Sequence, residues 1–101
     1  MRRFALVLAL AVLTSSCAHV EPAPVPPPGS KVTLKGTIHP GPECPQLWTK
    51  DGRRYSLSGS LGTFAVGADA CVKGEVVAMS TCMAGDATVN IESISDAKDC
   101  P

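Results

Sequence analysis

The sequence has few aromatic residues and no excess of either charge. These two features limit the classes of ligand that it can bind. Aromatic residues make up 4% of the 101 residues, and the formal net charge is zero. Nucleic-acid binding needs a basic face that displaces counterions, and a charge-balanced chain does not predict one. No CxxC or HxxxH spacing occurs, so the common zinc-binding motifs are missing. The longest apolar run, Phe4–Leu13, is too short to span a bilayer, which takes about 20 apolar residues.

The first residues have the layout of a secretory signal peptide, which we place at residues 1–16. Arg2 and Arg3 precede the apolar run, and small residues follow it up to Cys17. This junction resembles the lipobox of bacterial lipoproteins, whose cysteine is acylated and becomes the mature N-terminus. It departs from that pattern at Thr14, where a large aliphatic residue is usual. We expect lipidation of Cys17; the alternative is ordinary signal cleavage, with Cys17 incidental.

Residues 17–30 predict a lipidated cysteine followed by a proline-rich tether. Ala18 stands where an aspartate would indicate inner-membrane retention in the lipoproteins it resembles, so we expect the periplasmic face of the outer membrane. Prolines fix φ and cannot join a strand ladder, so this segment is extended. At its full length the tether would hold a domain about 30 to 40 Å from the membrane. A proline-rich ligand for a partner domain is the alternative.

Residues 31–101 predict one small domain, whose core is marginal without cross-links. Loss of Arg2 and Arg3 with the signal peptide leaves seven basic against nine acidic residues. Val32, Leu34 and Ile38 alternate with polar residues, which is the period of a strand with one apolar face. Two further strands are predicted at 46–49 and 53–58, on either side of a Lys-Asp-Gly turn. The mature chain is therefore mildly acidic, and its domain is rich in strands.

The turn between the second and third strands allows two registers. A two-residue Asp-Gly loop would set Trp48 opposite Tyr55, an aromatic cross-strand pair. A three-residue loop with Gly52 in the left-handed conformation would set Leu47 opposite Tyr55 and Trp48 opposite Arg54. We favour the second register because it gathers the apolar residues on one inward face. It leaves Trp48 outside and half covered by an arginine.

The second half of the domain predicts a loop and a long hairpin. Residues 59–68 are glycine-rich and should form a loop that places three side chains in one end of the core, namely Leu61, Phe64 and Val66. Residues 70–79 and 88–94 read as the two arms of an antiparallel hairpin. The first arm carries a row of small apolar residues that should face inward: Ala70, Val72, Gly74, Val76 and Ala78. Glycines inside strands, here Gly36 and Gly74, indicate bulges or sharp bends.

Five short strands with bending glycines favour an all-β, OB-like barrel over a two-sheet sandwich. In such a barrel the loop after strand one lies beside the loop between strands four and five, so Cys44 should pair with Cys82. The hairpin returns the chain after strand five to the start of strand four, so Cys71 should pair with Cys100. A zinc site is the alternative, but an oxidising envelope favours disulfides, and we expect no metal.

The cysteines and glycines also carry a family resemblance. The pattern comprises CPxL from Cys44 to Leu47, GxxYxL from Gly52 to Leu57 and SxCxxG from Ser80 to Gly85. It resembles a family of short secreted or lipidated bacterial domains that is catalogued only as a domain of unknown function. The resemblance covers Val32–Ile94 and implies no activity. Cys71 and Cys100 are not part of the shared pattern, so their pairing rests on the hairpin alone.

Catalysis is not predicted by the residues present. Ser60 and Ser80 have no evident general base, and the domain histidine, His39, is expected in an exposed Pro-Gly loop. Asp51 and Asp86 are expected to form turns. We therefore expect no enzyme activity and no cofactor.

The candidate ligand-binding residues are Trp48, Lys50 and Arg54, on the face that OB barrels use for ligands. Tyr55 and Phe64 are instead expected in the core. The sequence thus predicts a membrane-tethered, non-catalytic module that binds a periplasmic small molecule, glycan or protein partner. The alternative is a purely structural or interaction lipoprotein that has no ligand pocket.

Overall fold

The protein forms a closed five-stranded barrel, as described by a computed structural model for residues 24–82 and 84–101. The predicted signal peptide, Cys17 and the first part of the predicted tether lie outside the described residues. The strands are β1 (Lys31–His39), β2 (Gln46–Thr49), β3 (Arg54–Ser58), β4 (Asp69–Val77) and β5 (Ala87–Asp96). A single 3₁₀ turn, Ala97–Asp99, follows β5.

The strand order confirms the OB-like prediction. The strands follow one another around the barrel as β1-β2-β3-β5-β4, and β4 pairs back onto β1. All neighbours are antiparallel except β3 and β5, which are parallel. Because β1 pairs with β4 along its first part and with β2 along its second, this one strand closes the barrel.

Two glycines allow the close approaches that closure requires. Gly36 pairs with both β4 and β2, and a Cβ at this position would lie 2.3 Å from the carbonyl oxygen of Trp48. Gly74 follows a register shift in the β4–β5 ladder, and a Cβ there would lie 2.2 Å from the carbonyl oxygen of Asn90. Both distances are far below van der Waals contact, so only glycine fits. The bulge predicted at Gly74 is confirmed, and at Gly36 the structure shows a close approach of two strands.

The observed β2–β3 register is the one predicted for a three-residue loop. Leu47 lies opposite Tyr55, Trp48 lies opposite Arg54, and Gly52 has φ +88°. Leu47 and Tyr55 are buried, at 0% and 3% exposure. Since side chains alternate along a strand, Trp48 projects from the outer surface of the barrel.

The core is built from inward-facing residues of all five strands: Ile38, Leu47, Tyr55, Leu57, Ala70, Val72, Val76 and Val89. Leu61 and Phe64 from the 59–68 loop pack against it as predicted. Val66 does not, because its turn is held outside the barrel by a hydrogen bond from the Gly67 amide to the Ile38 carbonyl, and its side chain is 56% exposed. Ala78 is also exposed, since β4 ends at Val77 and the chain bends away.

Both predicted disulfides are present. Cys44 and Cys82 are bonded, with their Cα atoms 5.4 Å apart, and Cys71 and Cys100 are bonded at 5.3 Å. The first bond joins the β1–β2 loop to the β4–β5 loop. The second fixes the chain after β5 to the start of β4. The barrel is therefore cross-linked at two separate places.

Candidate functional site

The outer face of β1, β2 and β3 carries an aromatic residue held between two partners. The imidazole of His39 stacks on the Trp48 ring, with ring centroids 3.7 Å apart and planes inclined by 13°. The guanidinium carbon of Arg54 lies 4.0 Å from the centroid of the same ring. These partners come from β1 and β3, the two neighbours of β2, so the indole is supported from both sides.

A third contact fixes the tilt of the indole. The Nε1–H of Trp48 donates a hydrogen bond of 3.0 Å to the side-chain oxygen of Gln46, which is only 7% exposed. Cation–π contacts and aromatic stacking each contribute about 0.5 to 1.5 kcal/mol. Together with the hydrogen bond they hold Trp48 in one orientation, half-buried at the surface.

The position of His39 differs from the prediction. The Pro-Gly pair that follows it suggested an exposed loop, but His39 is the last residue of β1 and is half-buried against Trp48. The strand continues to this point because its backbone pairs with Gln46. The alternation of β1 could have revealed this, since His39 shares its outward face with Lys35 and Thr37.

A groove of about 670 Å³ runs beside Trp48. Its lining residues come from β1, from β2 and the turn after it, and from an opposite wall formed by the start of β4 and the 3₁₀ turn: Lys35, Thr37, Trp48, Lys50, Asp69 and Ala97. The volume lies within the range of small-molecule sites, about 300 to 1,000 Å³. Of the predicted ligand-binding residues, Trp48 and Lys50 line this groove together. Arg54 contacts the tryptophan but does not line the groove.

The groove has an excess of positive charge. Neither Lys35 nor Lys50 has a carboxylate within salt-bridge distance in the described part of the chain, and both side chains are exposed. Asp69 accepts a hydrogen bond of 2.6 Å from the hydroxyl of Thr37, which fixes the carboxylate on the opposite wall. Lys35, Thr37 and Asp69 were missed by the sequence reasoning, because only the barrel closure pairs the start of β4 with β1 and so forms this groove.

The two cross-linked loops are braced against β3. The hydroxyl of Ser56 donates to the carbonyl of Ala84. The carboxylate of Asp86 accepts from the Arg54 amide at 2.8 Å and forms an ion pair with Arg53 at 3.5 Å. With the Cys44–Cys82 bond, these contacts fix the loops that flank the binding face of an OB-like barrel.

The serines considered as nucleophiles are engaged in turns. The Ser80 hydroxyl accepts from the Cys82 amide at 3.1 Å and lies 3.0 Å from the hydroxyl of Thr88. The Ser60 hydroxyl accepts from the Gly62 amide at 3.0 Å. Within residues 24–82 and 84–101, no group of three or more histidine, cysteine or acidic side chains is arranged to hold a metal ion.

Comparisons with known proteins give no match: no protein-family model, curated protein or solved structure is significantly similar to this chain. The family resemblance noted in the sequence stays a prediction. In the part of the chain that the structure describes, no helix is long and apolar enough to cross a membrane.

Proposed function

We propose that the mature chain is a lipoprotein of the outer membrane, anchored through Cys17 on the periplasmic face, and that its barrel is a non-catalytic module that binds an acidic glycan. The ligand lies in the groove beside Trp48. The observation that carries the proposal is the lining of this groove, which combines a fixed indole, hydroxyl groups and two lysines.

Each part of the lining matches one feature of such a ligand. His39 and Arg54 cover the faces of the Trp48 ring, so its edge is the apolar surface that remains for a sugar ring. The hydroxyls of Thr37 and Thr49 donate to Asp69 and Asp51, so towards a ligand they act as hydrogen-bond acceptors. Lys35 and Lys50 attract carboxylate or phosphate groups, and no carboxylate neutralises them in the residues described. Asp69 on the far wall accepts hydrogen bonds from sugar hydroxyls and disfavours an anion placed against it.

A fluorescence titration tests the binding site, because Trp48 is the sole tryptophan of the sequence. The probes are a galacturonic acid trimer and the uncharged galactose trimer of the same size. We expect the acidic trimer to change the Trp48 emission in a saturable manner, with an affinity that falls as salt rises. The neutral trimer should bind more weakly.

Matched lysine variants separate the groove from general charge. Loss of one contact worth about 1 kcal/mol makes binding about fivefold weaker, which we expect for Lys35→Ala and for Lys50→Ala. Lys73→Ala is the control, since Lys73 is exposed on the outer face of β4 and does not line the groove. A signal that responds to neither trimer, or equal losses in all three variants, would favour the structural lipoprotein without a ligand pocket.

Mass spectrometry tests the anchor separately. The protein purified from a bacterial envelope should begin at Cys17 and carry the mass of a diacylglycerol and a third acyl chain. An unmodified Cys17 would overturn the anchor and leave the glycan site to be judged by the titration.

A further inference from the structure

One end of the barrel exposes apolar side chains that the core does not use. We call it the Met79 end; it comprises Val25, Pro26, Val77, Ala78 and Met79. Met79 is 89% exposed and Val25 is 37% exposed. Residues 76–85 contain no charged side chain, although they include the end of β4 and most of the following loop. A single exposed apolar side chain is ordinary, but a contiguous apolar patch around one opening is typical of a surface that contacts a protein or a membrane.

The predicted tether is fixed to this same end. The Gly29 amide donates to the Val76 carbonyl at 2.7 Å, and the Val76 amide donates to the Ser30 carbonyl at 2.8 Å. An opening of about 580 Å³ lies between the tether residues and the β4–β5 loop. Asp86 borders the opening, but its carboxylate is engaged by Arg53 and by the Arg54 amide. The last part of the tether is therefore part of the barrel surface.

The length of chain that precedes the fixed segment is short. Six residues lie between Cys17 and Pro24, so an extended chain spans about 22 Å from one to the other. A lipid on Cys17 would thus hold the Met79 end close to the membrane surface, rather than at the larger distance that a fully detached tether allows. The short tether and the exposed apolar side chains therefore indicate the same contact partner for this end, the membrane surface.

We propose that the Met79 end rests on the lipid surface to which Cys17 is attached, with Met79 and Val25 in the interfacial region. This inference rests on the proposed anchor. The acyl chains supply the membrane affinity, and the apolar end sets the orientation of the barrel. β4 runs from Asp69 at the groove to Val77 at the Met79 end, so the Asp69 wall of the groove lies at the far end of this strand.

Quenching by brominated lipids tests this orientation. The full mature lipoprotein is reconstituted into phosphatidylethanolamine and phosphatidylglycerol vesicles whose acyl chains carry bromine. One variant combines Met79→Trp with Trp48→Phe, so that its sole tryptophan reports on the Met79 end. The wild-type protein, with its tryptophan only at Trp48, is the matched control. We expect quenching several-fold stronger at position 79 than at position 48, with a blue-shifted emission at position 79 only. Equal quenching at the two positions would overturn the proposal.

A second means of attachment makes this test independent of whether Cys17 is lipidated. A Cys17→Ala chain with an N-terminal histidine tag is attached to the same vesicles through a nickel-chelating lipid. If envelope-purified protein fails to sediment with vesicles, the lipid anchor of the proposed function is wrong. The tagged chain, with its tryptophan at position 79 or at position 48, still reports whether the Met79 end contacts lipid. If quenching in the tagged chain is no stronger at position 79 than at position 48, the contact itself is refuted.

Discussion

The stack on Trp48 predicts a measurable coupling between residues of three strands. Trp48→Ala removes a half-buried indole together with its contacts to His39 and Arg54. Emptying a core aromatic position costs about 3 to 5 kcal/mol, and a plain surface change costs less than about 0.5 kcal/mol. A half-buried, stacked side chain lies between these limits, so we expect a loss of about 2 kcal/mol in the free energy of unfolding.

A double-mutant cycle isolates the stacking contacts. Trp48→Ala is combined with Arg54→Ala and, separately, with His39→Ala, and each protein is unfolded in urea with circular dichroism as the probe. We expect coupling of about 0.5 to 1 kcal/mol to Arg54 and about 0.5 to 1.5 kcal/mol to His39. Trp48→Ala with Lys73→Ala is the control pair, since Lys73 contacts neither ring, and its effects should add.

Two results would refute this reasoning. A loss above about 3 kcal/mol for Trp48→Ala alone would place the indole in the core and contradict the β2–β3 register. Additive effects in both the Arg54 and His39 cycles would mean that the ring is not held by its neighbours. The groove would then lack the fixed wall on which the proposed binding depends.

Further predictions concern the strand crossing, a disulfide and the buried tyrosine. Gly36→Ala should lower the free energy of unfolding in urea by about 3 kcal/mol, since its Cβ would meet the backbone of β2. Gly52→Ala, which lies in open space at positive φ, should cost about 1 to 2 kcal/mol. Equal losses in the two variants would contradict the close approach at Gly36. Replacing Cys71 and Cys100 by alanine opens a 29-residue loop and should cost about 3.6 kcal/mol, and an unchanged unfolding midpoint would refute this. Burial raises the pKa of Tyr55 above its ordinary value of 10. Its contribution to stability is complete below pH 10 and is lost as the pH rises through the folded-state pKa, so ultraviolet titration should show ionisation later than in the unfolded chain.

The barrel could be predicted largely because local signals agreed with one another. Gly52 fixed the turn register, which placed Leu47 inside and Trp48 outside. The hairpin and the barrel then brought each pair of cysteines together without any knowledge of side-chain positions. Strand pairing is a property of the backbone, and period-two patterns with glycine turns specify it well.

The groove could be predicted only in part, for a physical reason. Trp48 and Lys50 are neighbours in sequence, but Asp69 and Ala97 reach the groove through barrel closure, over a separation that local patterns do not report. His39 and Val66 were misplaced by composition: a following Pro-Gly pair did not end β1 early, and an apolar residue in a glycine-rich loop did not enter the core. Sequence patterns therefore located the strands better than the surfaces between them.

The two disulfides have a further consequence, which concerns the order of events during folding. Along the chain the two disulfide-bonded loops overlap. Cys71 lies between Cys44 and Cys82, and its partner Cys100 lies beyond Cys82. Among the four cysteines of the barrel, an oxidant that acts in the order in which they emerge would join Cys44 to Cys71, which is not a native pair. Correct maturation thus requires either that the β4–β5 hairpin and the barrel form before oxidation, or that thiol–disulfide exchange repairs the early product.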